Sequence, residues 1–204
     1  MTKATPVVRA EAATRTRKSA RKREAIIRAA IEVINEKSYA LATMTDIAAA
    51  LDLRDAALYY YFDSKQSLAF ACHVRSLERF ERLLVETDAA GGTGAAKLQR
   101  FLETMLQDAE RNGPELYFGD SSYLAEEQRT QVDAWLKRLT DRLERFIAEG
   151  IDDGSIVHCE AHIVVQLAIG MLIWLAKWVP GIEGMTVERL MRAIGVVALD
   201  GLKA

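Results

Sequence analysis

Arg54, Asp55 and Ala57 stand just ahead of Tyr59, Tyr60, Tyr61 and Lys65, so one short stretch carries a guanidinium, a carboxylate, three phenols and an ammonium. This is chemistry for reading and gripping a nucleic acid rather than for bond breaking. An arginine can pair in bidentate fashion with a guanine edge, and an alanine can touch a thymine methyl. Asp55 can accept from a cytosine amino group or favour the positive end of a helix. Three consecutive tyrosines cannot all be buried on one helix, so at least one must offer its hydroxyl to solvent or to a phosphate. Thr45, ten residues before Asp55, is a further candidate for a base or phosphate contact.

The elements that must position these groups are legible around them. The stretch Thr43 to Leu68, TMTDIAAALDLRDAALYYYFDSKQSL, reads as helix, tight turn at Asp52-Leu53, helix, and the start of a third. That layout is a helix-turn-helix, whose second helix enters a DNA major groove. Thr43 and Asp46 form a capping pair that opens the first of these helices, and Asp63 and Gln66 form a second pair ahead of the next. Leu58 and Phe62 are four apart and anchor the reading helix to a core. A preceding helix from about Arg21 to Asn35 turns Ile26, Ala29, Ala30, Val33 and Ile34 to one side.

The pattern I-A-x-x-x-(G)-(V)-x-x-x-(T/S)-L-Y-x-x-F-x-x-K-x-x-L resembles the N-terminal domain of the TetR family of bacterial transcriptional regulators. Ile47, Ala48, Leu53, Leu58, Tyr59, Phe62, Lys65 and Leu68 occupy its positions. The turn glycine is Asp52 here, the small polar cap is Arg54, and the threonine or serine before L-Y is Ala57. The resemblance covers about Arg21 to Phe70. It implies that Lys65 grips a backbone phosphate beside the free N–H groups of a helix start. The DNA-contacting set is then Thr43, Thr45, Arg54, Asp55, Ala57, Tyr59, Tyr60, Tyr61 and Lys65.

Composition narrows the alternatives. The chain has 204 residues, half of them hydrophobic, only three prolines, and two cysteines. That favours an all-α protein, and two cysteines suit a reducing cytoplasm rather than a disulfide framework. Residues 1–23 hold eight basic side chains and one acidic, a charge of +7, which leaves −9 on the rest of a chain whose net charge is −2. A basic arm on an acidic body predicts that one end meets a polyanion. The expected organisation is a disordered basic arm over 1–20, a helix-turn-helix domain over 21–68, and a helical effector-binding and dimerisation domain over 69–204. The apolar run Ile163 to Val179 is interrupted by Gln166 and Lys177, so a buried helix is expected there and no membrane partner.

Other motifs carry little. Gly92-Thr93-Gly94 with Lys97 lacks phosphate-loop spacing and reads as a hinge or linker. Gly119 to Tyr123 lacks the second glycine of a nucleophile elbow. His158 and His162 share a helix spacing, but their order is not that of a metal-binding helix, so neither metal nor cofactor is expected. An enzyme using Glu160 and these histidines is the weakest reading.

The C-terminal part predicts helices near Lys97–Asn112, Glu126–Glu149, Glu160–Trp178 and Val187–Leu202. Gly170 and Gly195 would allow close backbone approach in the last pair. Family resemblance implies that this pair joins its copy in a dimer, and that an effector pocket lies within these helices. Candidate lining residues are Phe101, Met105, Tyr117, Phe118, Tyr123, Trp135 and Trp174. The expectation is a dimeric repressor that a small, largely apolar effector releases from a palindromic double-stranded operator. The alternative is a helical small-molecule binding protein with weak or non-specific DNA binding.

Overall fold

The computed structural model describes residues 6–116, 120–199 and 201, with side chains described for 17–116, 120–175, 177–179, 181–197 and 201. Eight α-helices occupy these residues: α1 Pro6–Leu41, α2 Met44–Ala49, α3 Asp55–Tyr59, α4 Lys65–Ala89, α5 Gly94–Asn112, α6 Glu126–Asp152, α7 Ala161–Trp178 and α8 Val187–Ile194. A 3-10 turn at Val179–Gly181 follows α7 and a π turn at Gly195–Leu199 follows α8. No β-strand is present among the described residues. Contacts divide the chain into two compact units, 1–72 and 73–204. The division falls inside α4, four residues beyond the 68/69 boundary expected from sequence.

The first unit is held by the apolar face of α1. Ile26, Ala30 and Ile34 are buried with Ile47 and Ala48 of α2, Leu58 of α3, and Leu68 and Cys72 of α4. Their spacing of three and four residues places them along one side of each helix. The backbone of α1 is helical from Pro6, so the helix runs through the stretch expected to be a disordered arm. Proline suits a first helical position, and no glycine or further proline interrupts the alanine- and arginine-rich residues that follow. Near its end, Ser38 leaves the helical conformation at φ 71°, ψ 159°, a kink that turns the chain toward α2.

The second unit is an apolar bundle in which α5 contacts α6 and α8, and α6 contacts α7. Phe101 and Phe146 are its largest fully buried side chains. Glycine matters where α5 begins. A Cβ on Gly94 would lie 2.1 Å from the Gly150 nitrogen and 2.2 Å from the Phe146 carbonyl oxygen, so backbone crosses backbone there. The Gly94 N–H donates to Asp153 at 2.8 Å and the Ala95 N–H to Ser155 at 3.1 Å, which satisfies two of the free donors of the helix start. Residues that read from sequence as a hinge are thus a tightly fitted crossing. Gly170 and Gly195 have open space where a methyl group would stand, with no atom within 4 Å of it, so neither mediates close approach within the chain. Leu190 and Ile194 are buried as their spacing predicts, whereas Val197, within the π turn, is 81% exposed.

Candidate nucleic-acid interface and ligand cavity

The helix-turn-helix is locked by its own polar groups. Thr43 Oγ1 accepts from the Asp46 N–H at 3.0 Å, and Asp46 Oδ2 accepts from the Thr43 N–H at 2.9 Å. This is the reciprocal capping box expected from the sequence. Lys37 donates to the other Asp46 oxygen at 2.8 Å. That contact, with the Thr43 bonds, lowers the Asp46 carboxyl to about 2. After α2 the Leu53 N–H donates to Ala48 O and the Asp52 N–H to Ala49 O, at 2.9 and 3.1 Å, with Asp52 at φ 54°. That pairing is a Schellman closure with aspartate in the left-handed position that glycine usually fills.

The next helix is tied back to the first. Thr45 Oγ1 donates to Asp55 Oδ2 at 2.6 Å, across the turn. Both side chains, expected to reach toward bases, are placed against each other, where they fix how α3 leaves α2. Arg54 is exposed at the N-terminal cap of α3 and makes no side-chain capping bond. Ala57 is half-buried. Tyr59 is 52% and Tyr60 81% exposed, while the neighbouring Leu58 is fully buried in the core. Tyr61 meets Tyr60 edge to face, with centroids 5.0 Å apart.

Tyr60 and Tyr61 form one wall of an open groove whose other wall is α1, with Lys18, Ser19, Arg21, Lys22 and Ala25. Three cations and two phenols on one groove are suited to a phosphate backbone. Arg23, adjacent in sequence, instead lays its guanidinium over the Phe62 ring at 4.9 Å. Lys18 and Ser19 fall within the arm expected to be disordered, so sequence reasoning misses them as groove residues. The signal that could find them is the unbroken run of helix-forming residues leading into Arg21.

Lys65 takes a different position from a simple phosphate grip. Its Nζ donates to Tyr39 O at 2.8 Å and to Ala42 O at 2.9 Å, and lies 4.2 Å from the Tyr39 ring centroid. It closes the carbonyls left open where α1 ends. The helix it begins is capped by Ser64 and Ser67, each accepting from the other's N–H at 3.1 Å, rather than by Asp63 and Gln66.

The second unit contains a cavity of about 290 Å³ bordered by α4, α5, α6, α7 and α8. Its walls are mainly aliphatic, with Leu106, Leu136, Ile169, Leu172 and Leu190 among them. Of the aromatic and methionine candidates read from sequence, Met105 lines it. Phe101 is core, against Phe80 at 5.2 Å. Trp135 donates through Nε1 to Glu81 at 3.1 Å, and Trp174 is 56% exposed. Tyr123 pairs its hydroxyl with His73 Nε2 at 2.9 Å. Tyr117 and Phe118 lie outside the described residues.

The polar part of this cavity is not legible in sequence. Ser76 and Glu115 face it, and Glu110 and Thr186 border it. Burial raises the Glu115 carboxyl to about 7, against the pull of Arg79. Arg79 Nε lies 2.8 Å from Glu115 Oε1, and the same guanidinium also binds Asp108 and, at 3.1 Å, Gly113 O. Burial likewise lowers His73 to about 4. His162 lies 2.8 Å from Glu144, and among the described residues no three metal-binding side chains gather.

On α7, Ile163, Leu167 and Trp174 are exposed and share one face with Gly170. The π turn after α8 exposes Val196 and Val197. Among the described residues no helix is long and apolar enough to cross a membrane.

Comparison with known proteins accounts for both units. Residues 26–72 match the family model of bacterial regulatory proteins of the tetR family, and residues 91–202 match that of the tetracyclin repressor-like C-terminal domain. The HTH-type transcriptional repressor KstR2 of Rhodococcus jostii (strain RHA1) is 26% identical over 192 residues, 91% of this chain and 92% of that protein. The biofilm operon icaADBC negative transcriptional regulator IcaR of Staphylococcus aureus (strain Newman) is 26% identical over 134 residues, 66% of this chain and 72% of that one. The structure of AibR in complex with isovaleryl coenzyme A and operator DNA superposes with a TM-score of 0.72 at 22% identity, over 87% of this chain and 98% of that one. With the helix-turn-helix and the helical C-terminal body each matched by its own family model, the chain belongs to the TetR family of bacterial transcriptional regulators and is a DNA-binding regulator.

Proposed function

We propose that this protein is a dimeric repressor that a small, largely apolar effector releases from a palindromic operator. The observation that carries the reading is the groove of Lys18, Arg21, Lys22, Tyr60 and Tyr61 beside the exposed start of α3, in the same chain as an aliphatic cavity. The relatives support it: KstR2 is a repressor, and AibR has been captured with both isovaleryl coenzyme A and operator DNA. The exposed apolar stripe of α7 centred on Gly170 supports pairing with a second copy, because a face of that kind invites cover and glycine permits close helix approach. A twofold dimer would place two reading helices about 34–36 Å apart, so the operator would have two inverted half-sites.

The test is selection of duplexes from a random pool by the purified protein at moderate salt, followed by release with candidate effectors. An enriched inverted repeat, with affinity falling steeply as salt rises, is expected. An unenriched pool would favour a ligand-binding protein that holds DNA without reading it. The Thr45–Asp55 bond favours that second reading in one respect, since it occupies two of the polar groups available for base contacts.

A further inference from the structure

Resting on the reading of the cavity as the effector site, we propose that Glu115 selects the chemistry of the buried end of the effector: an uncharged apolar body carrying a hydroxyl that hydrogen-bonds this carboxyl group, with a carboxylate end rejected. The cavity is aliphatic on most sides, so it accepts a hydrocarbon body. Its lining includes two acids, Glu110 and Glu115, and among the described residues no lysine, arginine or histidine. Two arginines act on Glu115 from outside the lining: Arg79 is committed to Glu115, Asp108 and the Gly113 carbonyl, and the buried Arg75 donates to the Asn112 carbonyl at 3.3 Å. An anionic head group would therefore meet a carboxylate without a cation of its own, at a site where low polarity strengthens repulsion. A cationic head would find Glu115 already paired with Arg79. A hydroxyl adds one hydrogen bond and disturbs neither charge. Ser76 steadies the same corner: its Oγ accepts from the Leu116 N–H at 3.0 Å, next to Glu115 in the chain. The raised affinity of Glu115 for its proton agrees with a carboxyl in an apolar wall.

Three probes with one chain and different heads test this: 1-decanol, decanoate and decyltrimethylammonium, titrated calorimetrically into the full-length protein at pH 8. Decanol is expected to bind at least tenfold more tightly than either ion. In Glu115→Gln the decanoate penalty should fall below threefold, while decanol, whose hydroxyl the amide can still hydrogen-bond, should weaken by less than threefold. Decanoate or the ammonium binding as tightly as decanol in the unaltered protein would overturn the proposal, whether or not the variant folds. An unchanged decanoate penalty in folded Glu115→Gln would do the same. Failure of all three probes to bind would instead remove the cavity as an effector site, and the proposal with it.

Discussion

Replacing Lys65 by alanine separates a structural role for this residue from a phosphate contact. Its ammonium donates to two backbone carbonyls, Tyr39 O at 2.8 Å and Ala42 O at 2.9 Å, and lies over the Tyr39 ring. Hydrogen bonds from a charged donor contribute about 1.5–3 kcal/mol each. Because the site is half-buried, the low end applies, and two bonds give about 3 kcal/mol. The ring contact adds about 0.5 kcal/mol. For a unit of this size such a loss lowers the unfolding midpoint by on the order of 15–30 °C. The assay pairs thermal unfolding followed by circular dichroism with DNA binding across a salt series, well below the midpoint of the variant. If Lys65 acts through the fold, Lys65→Ala melts early, and its folded fraction keeps the wild-type slope of log K against log salt. Loss of a phosphate contact would instead reduce that slope by about 1. A variant that melts with the wild type but loses one unit of slope would refute the assignment of Nζ to the carbonyls.

Four further outcomes are expected. Asp52→Gly should raise the unfolding midpoint by a few degrees, because it relieves about 1 kcal/mol of left-handed strain at φ 54°; a lower midpoint would contradict the closure described for α2. Gly94→Ala should destabilise the protein by about 3 kcal/mol in urea unfolding, since its methyl group would overlap the Gly150 and Phe146 backbone; a loss within about 0.5 kcal/mol would contradict the crossing. Leu167→Glu should give a monomer by sedimentation at concentrations where the wild type is a dimer. The fourth concerns pH. Glu115, raised from 4.5 to about 7, adds stability that is full below 4.5 and lost as pH rises through 7; His73, lowered from 6.5 to about 4, adds stability that is present above 6.5 and lost as pH falls toward 4. The two slopes oppose each other between pH 4.5 and 6.5, so wild-type stability should be nearly flat there. Glu115→Gln should lose stability with falling pH over the same window, and a flat variant profile would contradict the pairing.

Apolar spacing makes much of this fold readable. The faces built on Ile26, Ala30 and Ile34, on Leu58 and Phe62, and on Leu139, Leu143 and Phe146 are buried as their periodicity predicts. A local cap is readable too, at Thr43, since a cap depends only on residues three apart. At Ser64 the rule falls one residue off, because D-S-K-Q-S offers two overlapping capping pairs and only backbone angles choose between them. The cavity resists reading for a different reason. Its walls are aliphatic residues that differ from core residues only in which neighbour is missing, whereas Phe101 and Trp135, large enough to attract attention, fill space or bond elsewhere. The Arg79–Glu115–Asp108 group joins residues far apart in sequence, and no spacing announces it.

The crossing of Gly94 over Gly150 bears on how such a protein can change. Side chains around the cavity can be exchanged one at a time, because each borders a space that tolerates a methylene more or less. At the crossing, each glycine faces a close neighbour, Gly94 the backbone of α6 and Gly150 the Ile156 side chain. On the proposed reading of the cavity as the effector site, divergence toward new effectors therefore has a free path through the walls and almost none through the start of α5. Libraries built to retarget the regulator should vary Leu106, Leu136, Leu172 and Glu115, and leave residues 94 and 150 untouched.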